Sequence, residues 1–388
     1  MEITSYSMNW HYPTAVKVGA GRISELAKSC GQLGMKAPLL VTDPGLAALP
    51  MVEQALQQCR DHGLRPGLFT GVKGNPTGGN VADGVAALKD GDHDGVIAFG
   101  GGSAIDAAKA IALIAHQSCT LWEAQNPAAV DVSKMLPLIA VPTTAGTGSE
   151  VGQAAVISDE ESHTKRIIFN ARMMPPIVIL DPELTVGLPP KLTAATGMDA
   201  LAHNIEAFFA PVFHPMAEGI ALEGVRLIKE FLPRATADGS DIHARLQMMV
   251  ASSMGATAFQ RGLGAIHAVS HSVGALYDSH HGLLNAIMLP YVMEANRPVI
   301  EEEAARLARY LGLEQANFDG VMQWMLDLRK ELDIPHTLAE IGVDESQAEL
   351  VGKMSAKDVT ARTNARQLDA AAYQKLFLNA VTGTIQGV

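Results

Sequence analysis

The chain changes character at Pro189-Pro190. Before that pair, short apolar runs ending in Gly, Pro or Asp alternate with stretches of helical spacing; after it, helical spacing runs on with no convincing strand. The runs at 37–43, 64–71, 94–103, 136–151 and 177–185 predict strands, and 50–62, 81–90 and 104–116 predict helices. Strands that alternate with helices imply βαβ units and a largely parallel sheet. A proline pair blocks both a helix interior and a sheet ladder. The expected organisation is therefore an α/β domain over 1–188 and an all-helical domain over 189–388.

Composition narrows the function classes. At 388 residues the chain exceeds one ordinary core, and with 48% hydrophobic residues it reads as folded. The net charge is -12 and no Lys/Arg block stands out, which argues against nucleic acid and anionic membrane surfaces as partners. Cys30, Cys59 and Cys119 are scattered without CxxC spacing, so a thiolate metal site is not expected and a reducing compartment is. The opening MEITSYSMNWHYP lacks a basic segment followed by an apolar one, and no run approaches the length of a membrane span. A cytoplasmic protein with no membrane association is expected.

Two segments concentrate metal-ligating side chains. In TAATGMDALAHNIEAFF, Asp199 and His203 stand at i and i+4, on one face of a helix. In GLGAIHAVSHSVGALYDSHHG, His267 and His271 open a second helix and His281 returns on a loop or the next helix start. One at a time, each His is equally a hydrogen-bonded helix-face histidine. Taken together, one Asp and three His suit a Zn, Fe, Mn or Ni ion better than Ca or Mg, which prefer all-oxygen sites.

Two loops suit a phosphate. Gly100-Gly101-Gly102-Ser103 follows a strand and opens a helix, so its amides can approach a pyrophosphate. It lacks GxGxxG spacing, and Ser103 with Asp106 also fits a helix capping box. Pro142 to Glu150 follows a later strand with Thr143, Thr144 and Thr147 between small residues, as a polar cradle or a tight structural loop. Asp43, ending an early strand, can accept the hydroxyls of an adenine ribose and would repel a 2′-phosphate; before Pro44-Gly45 it is also an ordinary turn residue.

The segments GGGSAIDAAK, PTTAGTGSEV, LDPELT, GLPPKLTAATGMDALAHNIEAF, GLGAIHAVSHSVGALYDSHHGLLNAIMLPYVMEAN and TARTNAR resemble the iron-containing (group III) alcohol dehydrogenases over about residues 10 to 385. The resemblance implies a parallel-sheet dinucleotide-binding domain followed by a helical metal-binding domain, the architecture shared with dehydroquinate synthase. It implies Asp199, His203, His267 and His281 as metal ligands, with His271 beside them as the residue for proton traffic. It places Asp43, Asn75, Gly101, Gly102, Ser103, Thr143, Thr144, Thr147 and Lys165 on the nicotinamide cofactor, NAD(H). Departures from the family pattern are Ser272 and Ala365, where Pro is common, and His280 beside His281. The choice of His281 over His280 rests on spacing to His267.

The implied chemistry is hydride exchange between NAD(H) and a small alcohol or aldehyde, with a divalent ion as Lewis acid. Four protein ligands close a tetrahedral Zn site, so a metal at ease with further ligands, Fe(II), is favoured, with Zn(II) also compatible. Arg261 and Arg362 flank the motifs and would hold a carboxylate, as in the 4-hydroxybutyrate dehydrogenase branch that the chain also resembles. Either Arg could instead make an interdomain or subunit ion pair. The alternatives are a plain short-chain alcohol or diol dehydrogenase, a dehydroquinate synthase-like lyase, and a non-catalytic metal-binding homologue. The expected assembly is a homodimer.

Overall fold

Six apolar runs of the first half form one parallel sheet: β1 (Ala15–Val18), β2 (Pro38–Val41), β3 (Gly67–Phe69), β4 (Gly95–Gly100), β5 (Leu138–Pro142) and, after an antiparallel hairpin of β6 (Ala154–Asp159) with β7 (Thr164–Phe169), β8 (Ile177–Leu180). This is a computed structural model that describes residues 12, 14–162 and 164–388. The opening MEITSYSMNWH, read above for leader signals, lies outside them, as does Pro13. The chain divides into two units, Tyr12–Gly187 and Leu188–Val388.

The first unit interleaves the strands with α1 (Leu26–Gln32), α2 (Pro44–Ala47), α3 (Pro50–Asp61), α4 (Gly78–Asp90) and α5 (Gly102–Ile114). Every residue of β2, β4, β5 and β8 is buried, as expected of a parallel sheet covered on both faces. On one face Leu40, Phe99, Ile139 and Ile179 pack against Leu26 and Cys30 of α1 and Leu56 and Cys59 of α3. The strand order is β1-β8-β5-β4-β2-β3. From β2 the chain steps outward to β3, then returns to β4 on the other side of β2. The order reverses there, and ligands of open α/β sheets bind at the carboxyl ends beside such a reversal. Asp43 follows β2 and the glycine triplet follows β4, so both flank it.

Sequence patterning missed β1 and the hairpin. AVKV is short and only half-buried. TKRIIF carries two cations, and its partner AAVISD alternates between half-buried and buried positions with small residues that blur the period.

The second unit has no strand among the described residues. Its helices are α6 (Pro190–Phe209), α7 (Pro215–Ala237), α8 (Ile242–Ala258), α9 (Ala265–Tyr277), α10 (His281–Tyr310), α11 (Phe318–Glu331), α12 (Ala348–Lys357) and α13 (Ala370–Thr382). Pro190 opens α6 at its first position, where a missing N–H has no intrahelical partner to lose. From Thr193 on, α6 is buried at all positions but Thr196. It is apolar almost all round, as befits a helix packed on several sides, and α7, α8 and α10 pack on it. Its polar exceptions, Thr193, Asp199, His203, Asn204 and Glu206, are therefore polar groups placed in a core.

Candidate functional site

On α6, Asp199, His203 and Glu206 stand at i, i+4 and i+7, one stripe of the helix. α9 presents His267 to that stripe, and α10 begins at His281. Gly282 permits this approach, since a Cβ there would lie 2.5 Å from the Ala195 carbonyl oxygen of α6. Asp199, His203 and His267 are buried, and their ligand atoms all lie within 4.8 Å of one another. From Asp199 Oδ1 it is 4.0 Å to His203 Nε2, 3.8 Å to His267 Nε2 and 3.8 Å to His281 Nε2. Atoms bound at roughly 2.0–2.2 Å to one ion stand about 3–4 Å apart, so the spacing and the donor set fit a transition-metal ion. His280 is used otherwise: its Nδ1 accepts the Leu283 N–H and caps α10.

Asn285 marks where these atoms point. Its Nδ2 donates to Asp199 Oδ1 at 2.7 Å and lies 3.2 Å from both His267 Nε2 and His281 Nε2. Three lone-pair atoms that converge on one amide donor are also arranged to converge on a cation.

The start of α9 is held by side chains from elsewhere. The Ala265 N–H donates to Asn364 Oδ1 at 3.1 Å and the Ile266 N–H to Glu206 Oε1 at 2.6 Å. Glu206 Oε2 meets His267 Nδ1 at 2.6 Å. Asn364 also exchanges amide bonds with Asn296, so the TARTNAR segment acts here as a structural clamp. His271 sits one turn beyond His267, its ring stacked 5.4 Å from that of His281, and its Nδ1 lies 3.0 Å from Asp358 Oδ2. Burial pushes the Asp358 carboxyl up, but its bonds to His271 and Thr360 outweigh that and hold it below the usual range.

The two arginines part company. Arg261 is buried and its guanidinium donates to the carbonyls of Val212, Phe208 and Ala210 at 2.8–2.9 Å, with Glu218 3.2 Å away. The fork thus ties together the chain after α6 through backbone carbonyls, a use different from the carboxylate contact expected of it. Arg362 lies exposed on the short 3-10 helix Val359–Thr363.

In the first unit the two small-residue loops touch. A Cβ on Gly101 would meet Thr144 Oγ1 at 3.3 Å, and one on Gly102 would meet Thr147 Oγ1 at 2.4 Å. The Thr143 N–H donates to the Gly100 carbonyl at 3.0 Å. Ser103 does not cap α5, whose N-cap is Gly101; its hydroxyl donates to the Gly74 carbonyl and ties the glycine turn to the loop that carries Asn75. Gly101, Gly102, Ser103, Asn75, Thr143, Thr144 and Thr147 thus form one neighbourhood beside the sheet reversal. Asp43 caps α2 by accepting the Leu46 N–H at 2.9 Å, while Lys165 stands on β7 opposite Ser158.

Sequence reasoning missed Glu206, Asn285, Asp358 and Asn364. The first two had a signal: Glu206 continues the Asp199–His203 stripe, and Asn285 stands four residues after His281. The other two did not, since only the fold returns the late segment to α9.

The chain is similar to known proteins along almost its whole length. Residues 13–182 match the family of iron-containing alcohol dehydrogenases and residues 193–381 its C-terminal region. It is 39% identical to a 4-hydroxybutyrate dehydrogenase of Cupriavidus necator, covering 95% of this chain and 98% of that one. An NAD-dependent methanol dehydrogenase of Bacillus methanolicus is 34% identical, covering 96% of this chain and 100% of that one. Among solved structures, a 1,3-propanediol oxidoreductase superposes with a TM-score of 0.91 at 34% identity, over 96% of this chain and 100% of its own. With both halves matched and a core that gathers one carboxylate and three imidazoles, the chain belongs to the iron-containing alcohol dehydrogenases and is an oxidoreductase.

Proposed function

We propose that the protein exchanges hydride between NAD(H) and a short alcohol or aldehyde, with one divalent ion, Fe(II) by preference, held by Asp199, His203, His267 and His281. The observation that carries this reading is the approach of the three imidazole Nε2 atoms to within 3.8–4.0 Å of Asp199 Oδ1 in a largely buried core. An ion there supplies Lewis-acid polarisation of an alcohol or carbonyl oxygen. Asn285 orients Asp199 by donating to its Oδ1. His271, oriented by Asp358 through Nδ1, leaves Nε2 to take up or return the alcohol proton. The amides of Gly101, Gly102 and Ser103 and the hydroxyls of Thr143, Thr144 and Thr147 suit the cofactor's pyrophosphate. Asp43 suits its adenine ribose, and Asn75 and Lys165 complete the proposed contacts.

For the substrate we propose an ω-hydroxy acid such as 4-hydroxybutyrate, or its semialdehyde. The 39% identity to a 4-hydroxybutyrate dehydrogenase supports this, with the exposed Arg362 as carboxylate partner. The commitment of Arg261 to backbone carbonyls favours a second reading, a plain short-chain alcohol or diol. The deciding assay is NADH oxidation with succinate semialdehyde against butyraldehyde after loading with Fe(II) or Zn(II). One charge-assisted bond, worth about 1.5–3 kcal/mol, predicts a ~10- to 100-fold preference in kcat/KM for the acid, lost in Arg362→Ala. Equal rates select the second reading.

A further inference from the structure

Glu206 touches the proposed metal centre without belonging to its ligands. It is 6% exposed, and both carboxylate oxygens are engaged within two consecutive residues: Oε1 takes the Ile266 N–H and Oε2 meets His267 Nδ1, each at 2.6 Å. A carboxylate only accepts. The pairing therefore puts the imidazole proton of His267 on Nδ1 and leaves the lone pair on Nε2, the atom 3.8 Å from Asp199 Oδ1 and 3.2 Å from Asn285 Nδ2. The opposite tautomer would aim an N–H at the convergence point and a lone pair at a carboxylate. The second bond holds the backbone just before His267, so the ring is fixed through its own atom and through its helix. Gly264 clears the way, since a Cβ there would stand 3.0 Å from Glu206 Oε1.

We propose that Glu206 is the positioning residue of the metal centre: it sets the tautomer and orientation of His267 and thereby the affinity for the ion. This rests on the reading of Asp199, His203, His267 and His281 as a metal site. Loss of a partner of this kind weakens metal binding by about 10- to 100-fold.

The test titrates Zn(II) against a chromophoric chelator competitor in wild type, Glu206→Gln and Glu206→Ala, with circular dichroism and metal-free melting temperature alongside. Expected is a Zn(II) dissociation constant raised by about 10- to 100-fold in both variants. A residue that only caps α9 would lower the metal-free melting temperature and leave the dissociation constant at the wild-type value, and that result overturns the proposal. Imidazole nitrogen NMR of metal-free, histidine-labelled wild type, with His267→Asn to assign the signal, keeps the test decisive should neither variant fold. With the ring neutral, a proton on Nδ1 supports the role and a proton on Nε2 sinks it. If wild type binds neither Zn(II) nor Fe(II), the metal site itself fails; if it binds and the variants bind equally, the positioning role alone fails.

Discussion

Two buried polar clusters, one in each unit, put similar residue types to different use. In the sheet unit, Lys109 is fully buried and donates to the Ser149 carbonyl, to Ser149 Oγ at 2.9 Å and to the Ala154 carbonyl at 3.0 Å. Asp106, one turn earlier on α5, accepts from Ser149 Oγ and from the Val156 N–H. Cation, anion and hydroxyl close on one another and tie α5 to the chain between the threonine loop and β6. In the helical unit, the ion-pair partners of Asp199 among the described residues are imidazoles alone. Their nitrogens and the carboxylate face one point. Polar groups are costly to bury unless paired. The first cluster holds groups of both signs and acts as a strut; the second gathers acceptors around the Asn285 amide, the arrangement on which the proposed ion would sit.

The largest expected effect breaks the second cluster. His267→Ala should abolish stoichiometric metal and cut kcat/KM by on the order of 10⁴-fold, read by metal analysis and NADH oxidation. Full metal content with full activity would leave the cluster as structural as its counterpart.

The matching break of the first cluster is Lys109→Met. It removes the donor from the Ser149 and Ala154 carbonyls and the compensating cation from buried Asp106, and should cost about 3–5 kcal/mol in urea unfolding of the metal-free protein. An unchanged metal affinity in that variant would separate strut from centre; loss of affinity with stability intact would erase the distinction.

A smaller effect concerns the cofactor. Asp43→Gly should narrow the preference for NADH over NADPH by roughly 1–3 kcal/mol, while the loss of its cap on α2 costs only a few tenths of a kcal/mol. A wild type that uses both cofactors equally would refute the ribose role.

The smallest effect is a pH signature of the strut. Desolvation pushes the Lys109 ammonium down to about 8, against the pull of Asp106 and Glu150. Its folded value then lies below its unfolded value of 10.5, so between the two the unfolded chain binds more protons and stability rises with pH. From pH 7 to 9 this group should add on the order of 1 kcal/mol, a gain absent in Lys109→Met. Parallel pH curves for the two proteins would contradict the buried cation.

Much of this is legible in the sequence. The glycine triplet and the threonine loop lie at the ends of β4 and β5 because a strand-to-helix turn needs small residues whatever surrounds it. Asp199 and His203 share a face because helical spacing alone requires it. Arg261 shows the limit. Six residues before His267 it reads as a cation beside the site, and only the carbonyls of Phe208, Ala210 and Val212, brought to it from the end of α6, show that its fork is committed. His280 and His281 are alike in sequence; in the fold His281 Nε2 lies 3.8 Å from Asp199 Oδ1, while His280 caps α10 through Nδ1.

By itself, the sequence determined the alternation of strand and helix, the change to helix alone from Pro190 on, and which residue types were present to bind a cation or a phosphate. These follow from local rules: apolar period, proline's missing donor, and the spacing of a helix face. Tertiary structure alone decided which of those groups meet. Glu206 reaches His267 across 61 positions of chain, and Asn364 reaches Ala265 across 99. Those contacts depend on how α6, α9 and the late segment pack, a choice set by the summed burial of many apolar side chains and encoded in no single local window.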